Sequence, residues 1–526
     1  MTPASRRFPR LALAAASAVV VLAGMTACTG TSPAEAPSAA PQAGTTSSAG
    51  AEVIGDVPGD LLPYYSQEVS WGECEPGAGD GFRCATVDVP MNYADPAGES
   101  IELAVILAES DGDAQGTVLV NPGGPGGSGY ETVSENLQGV TTERLRGNFN
   151  VLGFDPRGVG RSTPVECLAD EELDEERAEY LDPATPEGLA ASRASAKEFA
   201  DKCAENTGAA LGFVDTVSAA RDMDILRAVA GDGKLNYLGF SYGTYLGATY
   251  AELFPGNVGR MVLDGGLDPS SSNEEITLGQ AKGFEKAIRA YVEDCLSSSN
   301  CPLSGTTDEA VETIRALIAS VEESPMTAKD GRTVTVSTFV SGFILPLYND
   351  QSWPALTDAL DAALQGDPST MLWLADLGAE REPDGTYSSN STVAFSAINC
   401  LDYPMTSDDR QMRRDAEELE QASPTIGKYL GYGGVTCEAW PYEAVNEPHE
   451  INASGAADLL VIGTTGDPAT PYEWSVALAE QLDSATLVTW EGEGHTAYGR
   501  GDECIADTVD DYFIDGTVPG SDVVCS

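Results

Sequence analysis

Three side chains in this sequence have the types and the order that acyl-transfer chemistry requires. The segment LNYLGFSYGTYLGATYAELFP holds a Gly-x-Ser-x-Gly at Gly239, Ser241 and Gly243. With 56 glycines in 526 residues, chance gives on the order of 0.4 such matches, so the bare pattern proves little. Its setting carries more. Leu235 to Leu238 reads as a buried strand and the residues after Ser241 as a helix with small residues at close-packing positions. A sharp strand-to-helix turn of this kind holds a serine hydroxyl out over the sheet edge.

A serine hydroxyl needs a base to accept its proton, most often histidine. The chain has only two, His449 and His495. His449 lies in NEPHEINAS, a polar run without a flanking strand, whereas His495 follows the apolar strand Leu487 to Trp490 and a Gly-rich turn. His495 is therefore the expected base. The imidazole needs a carboxylate to orient it and to stabilise its protonated form. Asp467 ends the apolar run Leu459 to Ile462 and gives the order Ser, Asp, His found in hydrolases of this type. Asp264, at the end of RMVLD, is the rival for the same task.

The developing oxyanion needs N–H donors, and the residue after the nucleophile, Tyr242, supplies one. A second donor is expected from the loop NPGGPGGSG after the strand Thr117 to Val120, where glycines let the backbone turn its N–H groups inward. The loop lacks the Gly-Lys-Ser/Thr ending of a nucleotide cradle.

The elements that position these residues alternate along the chain. CATVDVPMNYADPAGESIELAVILAES reads as an opening hairpin, followed by VLV, NVLGF, a helix from Val217 to Val229, LNYLGF, the elbow helix and RMVLD. That alternation predicts a parallel sheet with helices on both faces. It breaks after Asp268. Helical patterns dominate from there, at Gly279 to Cys295, Thr307 to Val321 and Ser352 to Gln365, and strands resume at LLVIG and TLVTW. An inserted helical cap dividing one core explains the break. The organisation expected is a signal peptide with lipobox over 1–27, a disordered tether over 28–60, a first core half over 61–268, a cap over 269–432 and a second core half over 433–526.

Four segments carry a family resemblance: NPGGPGGSG, NVLGFDPRGVGRS, the elbow segment through VGRMVLDGGLDP, and VIGTTGDPATP with GEGHTAYG. Together they resemble the secreted tripeptidyl aminopeptidases of actinobacteria, relatives of the proline iminopeptidases within the α/β-hydrolases. The resemblance runs over most of residues 70–526 and is weakest from about 275 to 390. It implies an α/β-hydrolase core with an inserted helical cap, Ser241 as nucleophile, Asp467 and His495 as its partners, and Gly124 with Tyr242 at the oxyanion. It gives FDPRGVGRS, with Asp155 and Arg157, a scaffold role beside the oxyanion loop. The sequence departs from the proline iminopeptidases at Asn121, where they carry His.

The activity implied is release of short peptides, tripeptides in the family, from free N-termini. Carboxylates bind an ammonium through charge-assisted hydrogen bonds. Glu274 and Glu275, at the start of the cap, are candidates from their position, and Asp402 is a third because AINCLDYP resembles a family segment. The same triad would serve a carboxylesterase or lipase of the cell envelope, and a tethered binding protein with an inactive hydrolase fold is the reading from another class.

Arg6, Arg7 and Arg10 precede an apolar run from Leu11 to Gly24, the pattern of a secretory signal. Met25-Thr26-Ala27-Cys28 resembles a bacterial lipobox, so a lipid anchor on Cys28 at the outer face of the membrane is expected, full secretion being the alternative. Ten further cysteines in an exported chain argue for disulfides rather than metal. About 945 pairings are open to ten cysteines; neighbour pairing in sequence order is the expectation. No metal and no cofactor is expected. The formal charge of −55 disfavours nucleic acid and anionic lipid as partners and would favour substrates with a free amino terminus or basic side chains; solubility in an extracellular setting also accounts for it, so acidity alone does not identify a substrate.

Overall fold

The computed structural model of the chain describes residues 57–75, 79 and 81–526. The signal segment, Cys28 and all but the last few residues of the tether lie outside the described residues. Among the described residues no helix is long and apolar enough to cross a membrane.

Nine strands form one sheet. In chain order they are β1 (Phe82–Pro90), β2 (Ser100–Ala108), β3 (Thr117–Asn121), β4 (Asn150–Phe154), β5 (Leu235–Phe240), β6 (Val258–Asp264), β9 (Leu459–Gly466), β10 (Ala485–Glu493) and β11 (Val523–Cys525). The spatial order is β1-β2-β4-β3-β5-β6-β9-β10-β11. The opening hairpin pairs antiparallel, as does β2 with β4, and every later pairing is parallel. Strand β5 is buried on both faces: Leu235 and Tyr237 pack into one apolar cluster, Leu238 and Phe240 into the other. Helices cover both sides of such a sheet, which is why its strands read as continuous apolar runs. This is the mainly parallel α/β-hydrolase arrangement that the resemblance implies.

The helices that position the site are α1 (Gly129–Val140), α2 (Thr216–Val229), α3 (Tyr242–Leu253), α4 (Asn273–Ser297), α5 (Ser391–Asp402) and α6 (Gly434–Glu438). The last three belong to the long helical segment between β6 and β9, which also carries helices Thr307–Glu323, Val336–Ile344, Trp353–Leu364, Ser369–Gly378 and Asp409–Ala422. Helix α4 begins with a capping box in which Ser272 and Glu275 exchange hydrogen bonds. Its apolar residues Phe284, Ile288, Tyr291, Val292 and Cys295 recur at helical spacing and enter a second apolar cluster with Phe339, Phe343 and Trp353. A short hairpin of β7 (Met326–Thr327) and β8 (Thr333–Val334) interrupts this segment. Its two-residue strands leave no alternation to read, so it was invisible in a sequence pattern dominated by helices.

The FDPRGVGRS turn is a buried scaffold. Arg157 is fully buried, pairs Asp222 through Nε and Nη2 at 2.7 and 2.6 Å, and donates to the carbonyls of Pro90, Met91 and Phe213. Every donor is used, which is what makes a buried guanidinium tolerable. The Asp155 carboxylate accepts from Ser128, the N-cap of α1, and from the N–H of Tyr130 and Arg161. It thereby ties the end of the glycine loop to this turn.

Five disulfides join neighbours in sequence order, as expected: Cys74–Cys84, Cys167–Cys203, Cys295–Cys301, Cys400–Cys437 and Cys504–Cys525. Cys400–Cys437 fastens α5 to α6 across 37 residues of sequence. Loop-closure entropy assigns it about 4 kcal/mol, against about 2 kcal/mol for the six-residue Cys295–Cys301 link. Urea unfolding under oxidising conditions should therefore show a larger loss for the Cys400→Ser, Cys437→Ser pair than for the Cys295→Ser, Cys301→Ser pair.

Candidate active site

Ser241 sits between β5 and α3 with φ 56° and ψ −125°, a conformation that side chains other than glycine rarely adopt. The flanking glycines make the turn possible. A Cβ on Gly239 would fall 2.4 Å from the Gly243 carbonyl oxygen, and one on Gly243 would fall 2.8 Å from the Asn121 carbonyl oxygen. The sequence thus forms the strained elbow expected of Gly-x-Ser-x-Gly.

His495 and Asp467 come together at the ends of β10 and β9. Both carboxylate oxygens of Asp467 lie 2.9 Å from His495 Nδ1. The Asp467 side chain is fully buried and that of His495 is 13% exposed. The carboxylate also accepts the N–H of Ala469, Thr470 and Thr496, and Thr470 Oγ1–H at 3.0 Å. Such a set of donors holds the buried side chain in one orientation. Tyr348 holds the histidine too: its carbonyl accepts the His495 backbone N–H at 2.8 Å, and its ring stands edge-on to the imidazole at 5.5 Å. Arg500 donates to the carbonyls of Glu493, His495 and Thr496 and braces the loop beneath.

Asp264 connects the two halves. Its carbonyl accepts the Ser241 N–H at 2.8 Å, while its carboxylate accepts the N–H of Ala497 and Tyr498. The rival acid therefore holds the histidine loop by its backbone and does not touch the ring. Burial raises its carboxyl to about 6, opposed by those backbone hydrogen bonds. The next residue, Gly265, packs against His495: a Cβ there would lie 3.4 Å from Cε1. Among the described residues Ser241 Oγ and His495 Nε2 are not hydrogen-bonded, so the Asp–His contact is made and the Ser–His contact is open. In unliganded enzymes that contact commonly tightens only with substrate in place.

The glycine loop abuts the elbow. Gly123 and Gly124 have φ of 95° and 111°, and a Cβ on Gly123 would lie 2.9 Å from Ser241 Cβ and 3.0 Å from Tyr242 N. Asn121 Oδ1 accepts the Gly123 N–H, whereas the N–H groups of Gly124 and Tyr242 have no partner among the described residues. Gly124, Ser241, Tyr242 and Thr470 line one cavity of about 280 Å³, which is also lined by residues of α4 and α5, Phe395 among them, and by Tyr403. Two free N–H donors and a serine share this space.

The remaining sequence candidates part company. Glu274 and Glu275 line an adjoining cavity of about 240 Å³ with Asp415 and Glu418. Asn273, Thr277 and Gly433 border both cavities. Glu275 completes the α4 capping box, and Glu274 accepts the Thr406 N–H at 3.2 Å. Asp402 does not serve as an amine ligand: it is 1% exposed, and its oxygens are taken by Thr216 and Asn446. The family segment places it at the buried end of α5, behind the cavity wall, and its carboxylate has no face left for a substrate. His449 is exposed beside Glu252, away from the site. Sequence reading missed Thr470, Tyr348 and Arg500. Thr470, three residues after Asp467 in GDPATP, is the one with a local signal, because a threonine there can reach back to the carboxylate it follows.

Comparison with known proteins gives a consistent picture. Residues 423–525 match a family model described as TAP-like protein, a segment that includes Asp467 and His495. The chain is 37% identical over 483 residues to serine protease Hip1 of Mycobacterium tuberculosis, covering 88% of this chain and 92% of that protein. It is 37% identical over 503 residues to carboxylesterase B of the same species, covering 93% and 95%. With the tripeptidyl aminopeptidase of Streptomyces lividans it shares 31% identity over 455 residues, covering 85% and 84%.

Proposed function

This chain belongs to the family of tripeptidyl-aminopeptidase-like serine hydrolases, and on that premise we propose that it is an exported serine exopeptidase releasing short peptides, tripeptides foremost, from free N-termini. The observation that carries the reading is the buried Asp467–His495 pair beside a strained Ser241 on the wall of one cavity. In the mechanism, Ser241 Oγ attacks the scissile carbonyl as His495 Nε2 takes its proton, and Asp467 stabilises the imidazolium through Nδ1–H. The N–H groups of Gly124 and Tyr242 receive the oxyanion. His495 then returns the proton to the leaving amine, and water, deprotonated by the same ring, frees the acyl group.

Glu274 and Glu275 are proposed to hold the substrate ammonium, since their cavity shares Asn273, Thr277 and Gly433 with that of Ser241. Export is supported by the five disulfides, which form and persist in oxidising compartments. A lipid anchor on Cys28, at the head of the tether expected over 28–60, completes the proposal. The carboxylesterase reading is kept because a relative of equal identity carries that name.

The test compares a free-amine tripeptide anilide, its N-acetyl twin and a short-chain ester. The peptidase reading expects hydrolysis of the free peptide and little of its twin; cleavage of the ester alone would move the function to esterase. Joint replacement Glu274→Gln and Glu275→Gln keeps the capping box, because glutamine serves at that position. It should raise KM for the free peptide about tenfold or more, the worth of a charge-assisted hydrogen bond, and leave the ester unaffected. An unchanged KM would remove these residues from the amine site.

A further inference from the structure

Asp402 is a buried carboxylate beside the cavity that the proposed mechanism leaves without a task. We propose that it is a positioning residue for the oxyanion site: when ionised, it anchors the Tyr242 side chain through Thr216. The proposal rests on the reading of Ser241 and Tyr242 given above.

The contacts span distant parts of the chain. Asp402 Oδ1 accepts the Thr216 N–H at 2.9 Å, from a residue 186 positions away, and the Asn446 amide at 2.7 Å. Its Oδ2 faces Thr216 Oγ1, which also meets the Tyr242 hydroxyl. Thr216 is fully buried and Tyr242 is 6% exposed. Tyr242 follows Ser241, lines the cavity, and carries the N–H assigned to the oxyanion. Ring and N–H share one Cα, so what fixes the hydroxyl end also fixes the donor.

A threonine hydroxyl has one proton to give. An ionised Asp402 only accepts, so Thr216 must donate to it and accept from Tyr242. Every group in the chain Tyr242, Thr216, Asp402 is then satisfied. If Asp402 is protonated, Oδ1 still faces two N–H donors, so the proton resides on Oδ2 and is donated to Thr216. Three hydroxyl protons then face two contacts, so either Thr216 donates to Tyr242 and the Tyr242 O–H loses its acceptor, or Thr216 accepts from both and its own O–H is left unpaired in a buried site. Protonation reverses the Asp402–Thr216 bond and leaves one buried hydroxyl of the Thr216–Tyr242 pair without an acceptor, which loosens the hold on the ring.

The groups facing Asp402 come from each surrounding element. They are Asp215 at the N-cap of α2, Tyr242 and Tyr245 of α3, Tyr403 after α5, and Asn446 of the loop before β9. Tyr245 and Tyr403 stack at 6.2 Å. Burial, the largest influence, raises Asp402 to about 7, opposed by the Thr216 and Asn446 hydrogen bonds and reinforced by Asp215. The reversal thus falls within the range where a hydrolase is assayed.

The experiment is the pH profile of kcat on the free-amine tripeptide anilide. The wild-type protein should show a step of about tenfold near pH 7, with KM changing less than twofold; misdirecting a donor costs less than deleting one. Asp402→Asn places an amide N–H toward Thr216 and so imposes the reversed bond. It should hold kcat at the lower level at every pH and abolish the step. Thr216→Ser keeps the hydroxyl and the step, whereas Thr216→Val loses it with Asp402 intact. A separate readout is stability. A carboxyl raised from its ordinary value near 4 to about 7 binds its proton more tightly in the folded state, so its contribution to stability falls as pH rises from 4 to 7. The Tm of Asp402→Asn relative to wild type should therefore climb between pH 5 and pH 8. A flat Tm difference, or an Asp402→Asn profile with the wild-type step and plateau, overturns the proposal. Ser241→Ala in parallel separates the two failures: if that variant still hydrolyses peptide, the proposed function itself is wrong.

Discussion

Ser241→Ala should lower kcat about 10⁵- to 10⁶-fold while leaving KM within a few-fold and the fold intact. The acyl-enzyme bond has no other hydroxyl to form on, and the base His495 has no proton to take. The cavity wall is unchanged, because alanine keeps the Cβ that packs beside Gly123. Backbone strain at the elbow is also unchanged, since alanine at φ 56° is no better placed than serine. The small residual rate would come from the Gly124 and Tyr242 donors acting with water. Burst kinetics with an activated ester would confirm that the lost step is acylation.

Asp467→Asn should cost about 10⁴-fold in kcat, and Asp264→Asn far less. The carboxylate of Asp467 compels His495 Nδ1 to carry the proton, which leaves Nε2 free as base. An asparagine amide can turn its N–H toward Nδ1 and so trap the tautomer that cannot accept the serine proton. Asp264 touches only the backbone of Ala497 and Tyr498, so asparagine there weakens the histidine loop by about 1–3 kcal/mol of stability through an unpaired N–H. The two variants are distinguished by measuring kcat and urea unfolding together. A dead Asp264→Asn beside an active Asp467→Asn would exchange their roles.

The parts of this site that were legible in the sequence are those whose signals are local. The elbow announces itself because strand, serine and helix are contiguous, and Gly239 and Gly243 are demanded by contacts within the turn. Asp467 and His495 were accessible because each closes an apolar strand and only two histidines compete. The parallel sheet followed from alternating patterns, and the helical segment from their interruption. What was hidden depends on contacts between distant residues. Asp402 was a candidate amine ligand because AINCLDYP resembles a family segment, but its surroundings are set by Thr216 and Asn446, distant in the chain. Asp264 and Asp467 both follow apolar strand runs, and only contacts between distant residues separate them, Asp467 meeting the ring and Asp264 the backbone of Ala497 and Tyr498. Tyr348 reaches His495 from the helical segment, where no sequence periodicity marks a contact with the core.

The central claim is that Ser241 is the nucleophile of a serine hydrolase, and covalent trapping tests it most directly. The protein would be treated with a fluorophosphonate, its intact mass measured, and the modified peptide sequenced by mass spectrometry. The account predicts a single adduct on Ser241, absent from Ser241→Ala and strongly slowed in Asp467→Asn, with loss of peptide hydrolysis in proportion to labelling. An adduct on any other residue, or full labelling with hydrolysis undiminished, would contradict it.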